Sequence, residues 1–235
     1  MTKFIAHRGL SGLAPENTIE AFVLAGKHGY YGTECDIHVS KDHNFIVFHD
    51  FSLKRMTGRN YTIRDLTTTE IKKLNILNGN NINEYENVKI PTLDEYLDVC
   101  IYYNMVPVIE IKSIINMEDL DNLLQKLKQK AIEKKAHIIS FHLEYLIYLR
   151  NIAPYLQIFY LVDDIKAEDI NLCNTYFMNI DVNCQKLTQD RIIHCHNNNI
   201  LVNTYTVDDI NLARMFSKVK IDFITTNFLK KDNHF

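Results

Sequence analysis

Two periods alternate along this chain: short runs in which apolar side chains recur at every second position or fill the run, and longer ones in which they recur every three or four. The short runs begin near residues 4, 33, 106, 138, 158, 179, 201 and 222, and helical stretches separate nearly all of them. Between Pro91 and Cys100, the residues Leu93, Tyr96, Leu97 and Cys100 share one face behind a Thr92-x-x-Glu95 capping box. From Met117 to about Lys135 the stripe is Leu120, Leu123, Leu124, Leu127 and Ala131, with acids at its start and lysines toward its end, as the helix dipole favours. An earlier helix reads as capped by Asn17, with Glu20 as its box partner, and as stopped by Gly29. Eight strand–helix units at this length predict an α/β fold, a closed (β/α)8 TIM barrel forming one domain over residues 1–235. Residues 51–90 break the rhythm with one helix opened by Thr67-x-x-Glu70 and an Asn- and Gly-rich piece near 78–83. They read as a small insertion after the second strand, without a core of its own.

Barrels of this kind carry their reactive groups at the C-terminal ends of the strands, and the polar residues of this chain gather there. Side chains alternate faces along a strand, so Glu34 and Asp36 point one way while Cys35, Ile37 and Val39 point the other. Phe45 to His49 reads as a returning strand that brings His49 opposite the Glu34–Asp36 step. Two carboxylates so close are tolerable only if a proton or a cation is shared between them, and a hard divalent metal is the natural cation. The strand from Met105 to Ser113 turns Val106, Val108, Glu110 and Lys112 to one face, adding a third acid beside a lysine. The first strand ends in His7-Arg8-Gly9. Taken singly, Glu110 reads as the structural partner of Lys112, and either histidine as a cap or packing residue. Three acids, two histidines, an arginine and a lysine on one rim are hard to assemble by accident. His194-Cys195-His196 does not make a zinc site, because side chains two apart on a helix diverge.

Composition narrows the partners. Hydrophobic residues are 46% and charged residues 23% of the chain, and its formal net charge of -3 comes with scattered lysines and arginines. That excludes a basic nucleic-acid footprint. Five cysteines without a C-x-x-C pair read as reduced thiols, and the chain has neither a signal h-region nor an apolar run long enough to span a bilayer. A cytoplasmic protein without stable membrane insertion is expected. Oligomeric state is not legible.

The motifs resemble those of the glycerophosphodiester phosphodiesterases of the phospholipase-C-like barrel superfamily. The resemblance rests on His7-Arg8-Gly9 with Pro15-Glu16-Asn17-Thr18, Glu34-x-Asp36, Val47-Phe48-His49-Asp50, the Asp65-Leu-Thr segment, Pro91-Thr-Leu-Asp-Glu95 and Glu110-Ile-Lys112. It continues more thinly through Ser140-Phe141 and Asn203-x-Tyr205-Thr-Val207. Tyr205 stands where the family usually has Trp, Asn227-Phe228 where an Asp/Pro pair is common, and His142 where an acid is frequent; these departures touch the alcohol side of the pocket. The resemblance implies metal-dependent hydrolysis of small glycerophosphodiesters to glycerol 3-phosphate and an alcohol. It puts the ligands of one divalent ion, Mg2+ or Ca2+, on Glu34, Asp36 and Glu110, and the acid–base pair on His7 and His49. Arg8 and Lys112 are then expected to grip the phosphate. The nucleophile would be the glycerol 2-hydroxyl, through a cyclic phosphate, or water, with His49 starting as base and His7 as acid. Two rival expectations are a related barrel acting on lysophospholipids, which would want an apolar rim that residues 51–90 do not strongly provide, and a silent sensor of metal and phosphodiester.

Overall fold

A computed structural model describes residues 1–230. Its strands are Lys3–Ala6 (β1), Gly32–Val39 (β2), Phe45–Val47 (β3), Val106–Ile111 (β4), His137–Ser140 (β5), Gln157–Val162 (β6), Asn179–Asn183 (β7), Val202–Tyr205 (β8) and Phe223–Thr226 (β9). Every strand except β3 pairs in parallel with its neighbours, and β1 pairs with both β2 and β9, so eight strands close into a ring. This is the expected (β/α)8 barrel. The hairpin partner β3 runs antiparallel outside the ring, with Ile37 opposite Val47. The strand stops at Val47, two residues short of the expected end, although the Phe48 N–H still donates to the Asp36 carbonyl.

The helices are Ile19–Lys27 (α1), Lys54–Thr57 (α2), Thr68–Lys73 (α3), Leu93–Tyr102 (α4), Glu118–Gln129 (α5), Leu143–Ile152 (α6), Ala167–Tyr176 (α7), Gln189–Asn197 (α8) and Ile210–Lys218 (α9). Strand parity divides the apolar residues between two layers. Cys35, Ile37, Ile109, Ile111 and Ile138 face outward into a core shared with Leu93, Leu97, Leu120, Leu123 and the other helix stripes. Ile5, Val106, Val108, Ile139, Phe159, Leu161 and Phe223 face inward and fill the barrel. The barrel is therefore plugged, and chemistry is confined to its mouths.

Three expectations need amending. The cap of α1 is Thr18, whose hydroxyl accepts from the Ala21 N–H, and not Asn17. Helix α5 ends at Gln129 instead of about Lys135, because Ala131 turns left-handed at φ 54°. The insertion does have a small core: Ile46, Phe48, Leu53, Met56, Ile63, Ile71, Ile76, Val88 and Ile90 form a separate buried cluster beneath the hairpin. The Thr67–Glu70 and Thr92–Glu95 capping boxes form as expected, each worth about 1 kcal/mol to its helix start. Among the described residues all five cysteines are free and buried, and no helix is long and apolar enough to cross a membrane.

Candidate active site

Glu34, Asp36 and Glu110 meet at the C-terminal mouth. Asp36 and Glu110 are register partners on β2 and β4, and Glu34 lies one step back on the same face of β2. One carboxylate oxygen from each lies within 4.8 Å of the others. Burial and then the negative neighbours push Glu34 well above the usual carboxylate range, and push Glu110 up to about 7 despite Lys112. Burial also acts on Asp36, but Arg8, His49, Lys112 and Asn17 outweigh it and hold that carboxyl below its usual value. Glu34 Oε1 and Asp36 Oδ1 are buried and accept no hydrogen bond. Hard oxygens converging with uncommitted lone pairs fit a divalent cation.

The two expected phosphate-binding cations are already engaged with this acidic floor. The Arg8 N–H donates to Glu34 Oε2 at 2.8 Å, its Nε lies 3.4 Å from Asp36 Oδ2, and its Nη1 bonds Glu16 Oε1 at 3.1 Å. Lys112 Nζ is 2.9 Å from Glu110 Oε1 and 3.7 Å from Asp36 Oδ1. Burial alone would lower both cations, but the carboxylates around them raise both. Gly9, at φ 79°, lets this loop lie against α1: a Cβ there would sit 2.5 Å from that of Ala21.

The two histidines occupy unlike seats. His7, partly buried at the end of β1, has its Nδ1 2.9 Å from Asn227 Oδ1. The Asn227 N–H donates to Asp208 Oδ1 at 2.8 Å and its Nδ2 donates to Asp208 Oδ2. A carboxylate only accepts, so the amide NH2 faces Asp208 and the amide oxygen faces His7 and the Ser11 hydroxyl. The neutral His7 ring thus carries its hydrogen on Nδ1 and its lone pair on Nε2, an assignment made from the hydrogen-bond network. Burial, and then the Arg8 charge, depress His7 to about 4. His49 follows β3 and bonds Asp50 Oδ1 at 2.8 Å, while its carbonyl accepts from His38 at 3.1 Å. Asp50 is itself held at about 2 by Arg55, which donates to both of its oxygens and also to Glu16. A chain of charges, Arg8–Glu16–Arg55–Asp50, therefore links the two histidine-bearing segments.

Sequence reasoning missed several of these supports. Asn17, left-handed at φ 55°, donates from Nδ2 to Asp36 Oδ2 at 2.8 Å and accepts from the Asp36 N–H at 3.3 Å. Asp208, far in the chain from His7, had no local signal, and Asn227 was singled out only as a departure from the family's pattern and not as a partner of His7. Tyr205 belongs to the barrel-lining cluster and donates to the Val162 carbonyl, while Phe141 is exposed beside it. A cavity of about 420 Å³ opens next to the acids, bounded by His7, Arg8, Glu16, Asp208, Asn227 and Phe228.

Residues 7–231 match the model of the glycerophosphoryl diester phosphodiesterase family. A glycerophosphodiester phosphodiesterase from Caldanaerobacter subterraneus subsp. tengcongensis is 30% identical over 238 residues, covering 96% of this chain and 94% of that one. One from Bacillus altitudinis is 28% identical over 236 residues, covering 97% and 95%. Among solved structures, an Oleispira antarctica phosphodiesterase in complex with the product sn-glycerol-3-phosphate superposes with a TM-score of 0.89 at 25% identity, covering 97% of this chain and 94% of that one.

Proposed function

The chain belongs to the glycerophosphoryl diester phosphodiesterase family, and on that premise we propose that it cleaves glycerophosphodiesters to glycerol 3-phosphate and an alcohol by metal-dependent two-histidine catalysis. Glu34, Asp36 and Glu110 hold one divalent cation, Mg2+ or Ca2+; three carboxylates do not choose between these two. Bound there, the cation supplies Lewis-acid stabilisation of the charge that builds on the phosphoryl oxygens. Arg8 and Lys112, tethered to the same carboxylates, add positive charge on either side of the phosphate.

The observation that carries the reading is the contrast between the histidine seats. His7, kept neutral with its lone pair on Nε2, is the general base: it takes the proton from the attacking hydroxyl, whether the glycerol 2-hydroxyl or water. His49, oriented by its 2.8 Å hydrogen bond to Asp50, is the acid that gives a proton to the leaving alcohol. This reverses the order expected from sequence. The test is to incubate the protein with glycerophosphocholine or glycerophosphoglycerol and a divalent ion, and to follow phosphorus NMR for a cyclic glycerol phosphate and then glycerol 3-phosphate. Binding without turnover would leave only the sensor.

A second reading, in which the leaving alcohol bears an acyl chain, is supported by apolar side chains exposed at the same mouth. Phe51 (64% exposed), Phe141 and Phe228 follow β3, β5 and β9, an apolar rim the sequence did not suggest. Comparing rates on lysophosphatidylcholine and glycerophosphocholine separates the two readings.

A further inference from the structure

At the opposite, N-terminal mouth of the barrel lies a second cavity, of about 480 Å³, whose charge is of the other sign. Lys3, Lys134 and Lys135 line it together with His137 and Gln157, and no carboxylate does. None of the three lysines forms an ion pair among the described residues. Lys135 Nζ donates only to the carbonyl and side-chain oxygens of Asn104. Lys3 Nζ stands 4.4 Å from the centre of the Tyr31 ring and 5.4 Å from that of Phe223. The nearby acid Asp222 is committed elsewhere, its Oδ2 accepting from the Val202 N–H and contacting His196.

His137 supplies the independent observation. Its side chain is 6% exposed, stacked on Phe159 with centroids 5.1 Å apart and flanked by Phe223 and Tyr31. Among the described residues neither ring nitrogen has a hydrogen-bond partner. The little of the ring that is exposed lines the cavity, so its nitrogens are open to a ligand there. Burial and the Lys3 charge depress it to about 4, so the ring is neutral and offers one N–H.

We infer that this mouth is a binding site for a small phosphate-class dianion, such as inorganic phosphate or a short-chain phosphomonoester. Three ammonium groups more than offset a dianion, and the imidazole N–H and the Gln157 amide offer directed donors. The site does not depend on the catalytic reading, since it shares no residue with the acidic mouth.

The experiment follows the His137 ring resonances by NMR while the intact protein is titrated with inorganic phosphate, with sn-glycerol 3-phosphate, and with sodium chloride at matched ionic strength. A saturable shift with a phosphate compound and none with chloride is expected. Tighter binding of the glycerol ester would mean that the organic portion is read; equal binding, that the phosphate alone is. Lys134→Gln and Lys135→Gln should each raise the half-saturating concentration about tenfold, the value of one charge-assisted hydrogen bond. Both lysines lie at the surface, so the fold is retained, and hydrolysis at the other mouth should be unchanged. A shift that chloride reproduces, the lack of any saturable shift, or a half-saturating concentration unchanged from the parent protein in both lysine variants overturns the proposal while leaving the phosphodiesterase reading intact.

Discussion

The seats of His7 and His49 use the same ring for opposite ends. On the His7 side, the partner is a neutral amide locked in orientation by Asp208, in a partly buried loop between the first and last strands. On the His49 side, the partner is a carboxylate locked by Arg55, in a half-exposed segment outside the ring. An amide fixes a tautomer without adding charge; a carboxylate fixes orientation and places a negative charge beside the ring. In the proposed mechanism, environment and not residue type sorts the base from the acid.

The largest test of that contrast is removal of each ring. His7→Ala should lower turnover by about 10²–10⁴-fold on any phosphodiester, with an unchanged circular dichroism spectrum. His49→Ala should do the same on a choline or glycerol ester but recover most of its rate on a p-nitrophenyl ester, whose leaving group needs no proton. Equal losses on both substrates would erase the distinction.

Both seats serve the same acidic floor, so emptying it comes next. Glu34→Gln, Asp36→Asn or Glu110→Gln should weaken Mg2+ or Ca2+ binding by calorimetry, and chelation should abolish turnover. Because Glu110 sits at about 7, the cation displaces a proton there, and affinity should rise with pH through that value. Asn17→Ala, which frees Asp36 to rotate, should cost about 10–100-fold in metal affinity.

A smaller effect sharpens the comparison by making the seats alike. With His7 at about 4, the rate set by the base rises as pH increases through that value and is flat above it. Asn227→Asp gives His7 a carboxylate partner, which raises its pKa, so the limb should move to higher pH. The smallest change is Arg55→Ala, which loosens Asp50 and should reduce the rate on choline esters about tenfold or less, with the p-nitrophenyl ester spared.

What could be read in advance was whatever strict periodicity dictates. The parity of β2 and β4 leaves Glu34, Asp36 and Glu110 no face but the inner one, so the acid trio was legible from spacing alone. The order of strands and helices was legible for the same reason. Asn17 was misread because asparagine is a favoured cap and the true cap is its neighbour Thr18; one residue separates a helix start from a support of the acid trio. The insertion's core escaped because Leu53, Met56, Ile63, Ile71 and Ile76 follow no period. The exposed Phe51, Phe141 and Phe228 are silent in sequence, since solvent exposure at a strand end is decided by tertiary neighbours.

The hydrogen bond between His7 and Asn227 spans 220 residues of chain. Contacts between segments so far apart in the chain carry a loop-closure cost and slow the folding of proteins that depend on them. The proposed proton acceptor is assembled where the first strand meets the last. During renaturation, recovered turnover should lag behind recovered helicity.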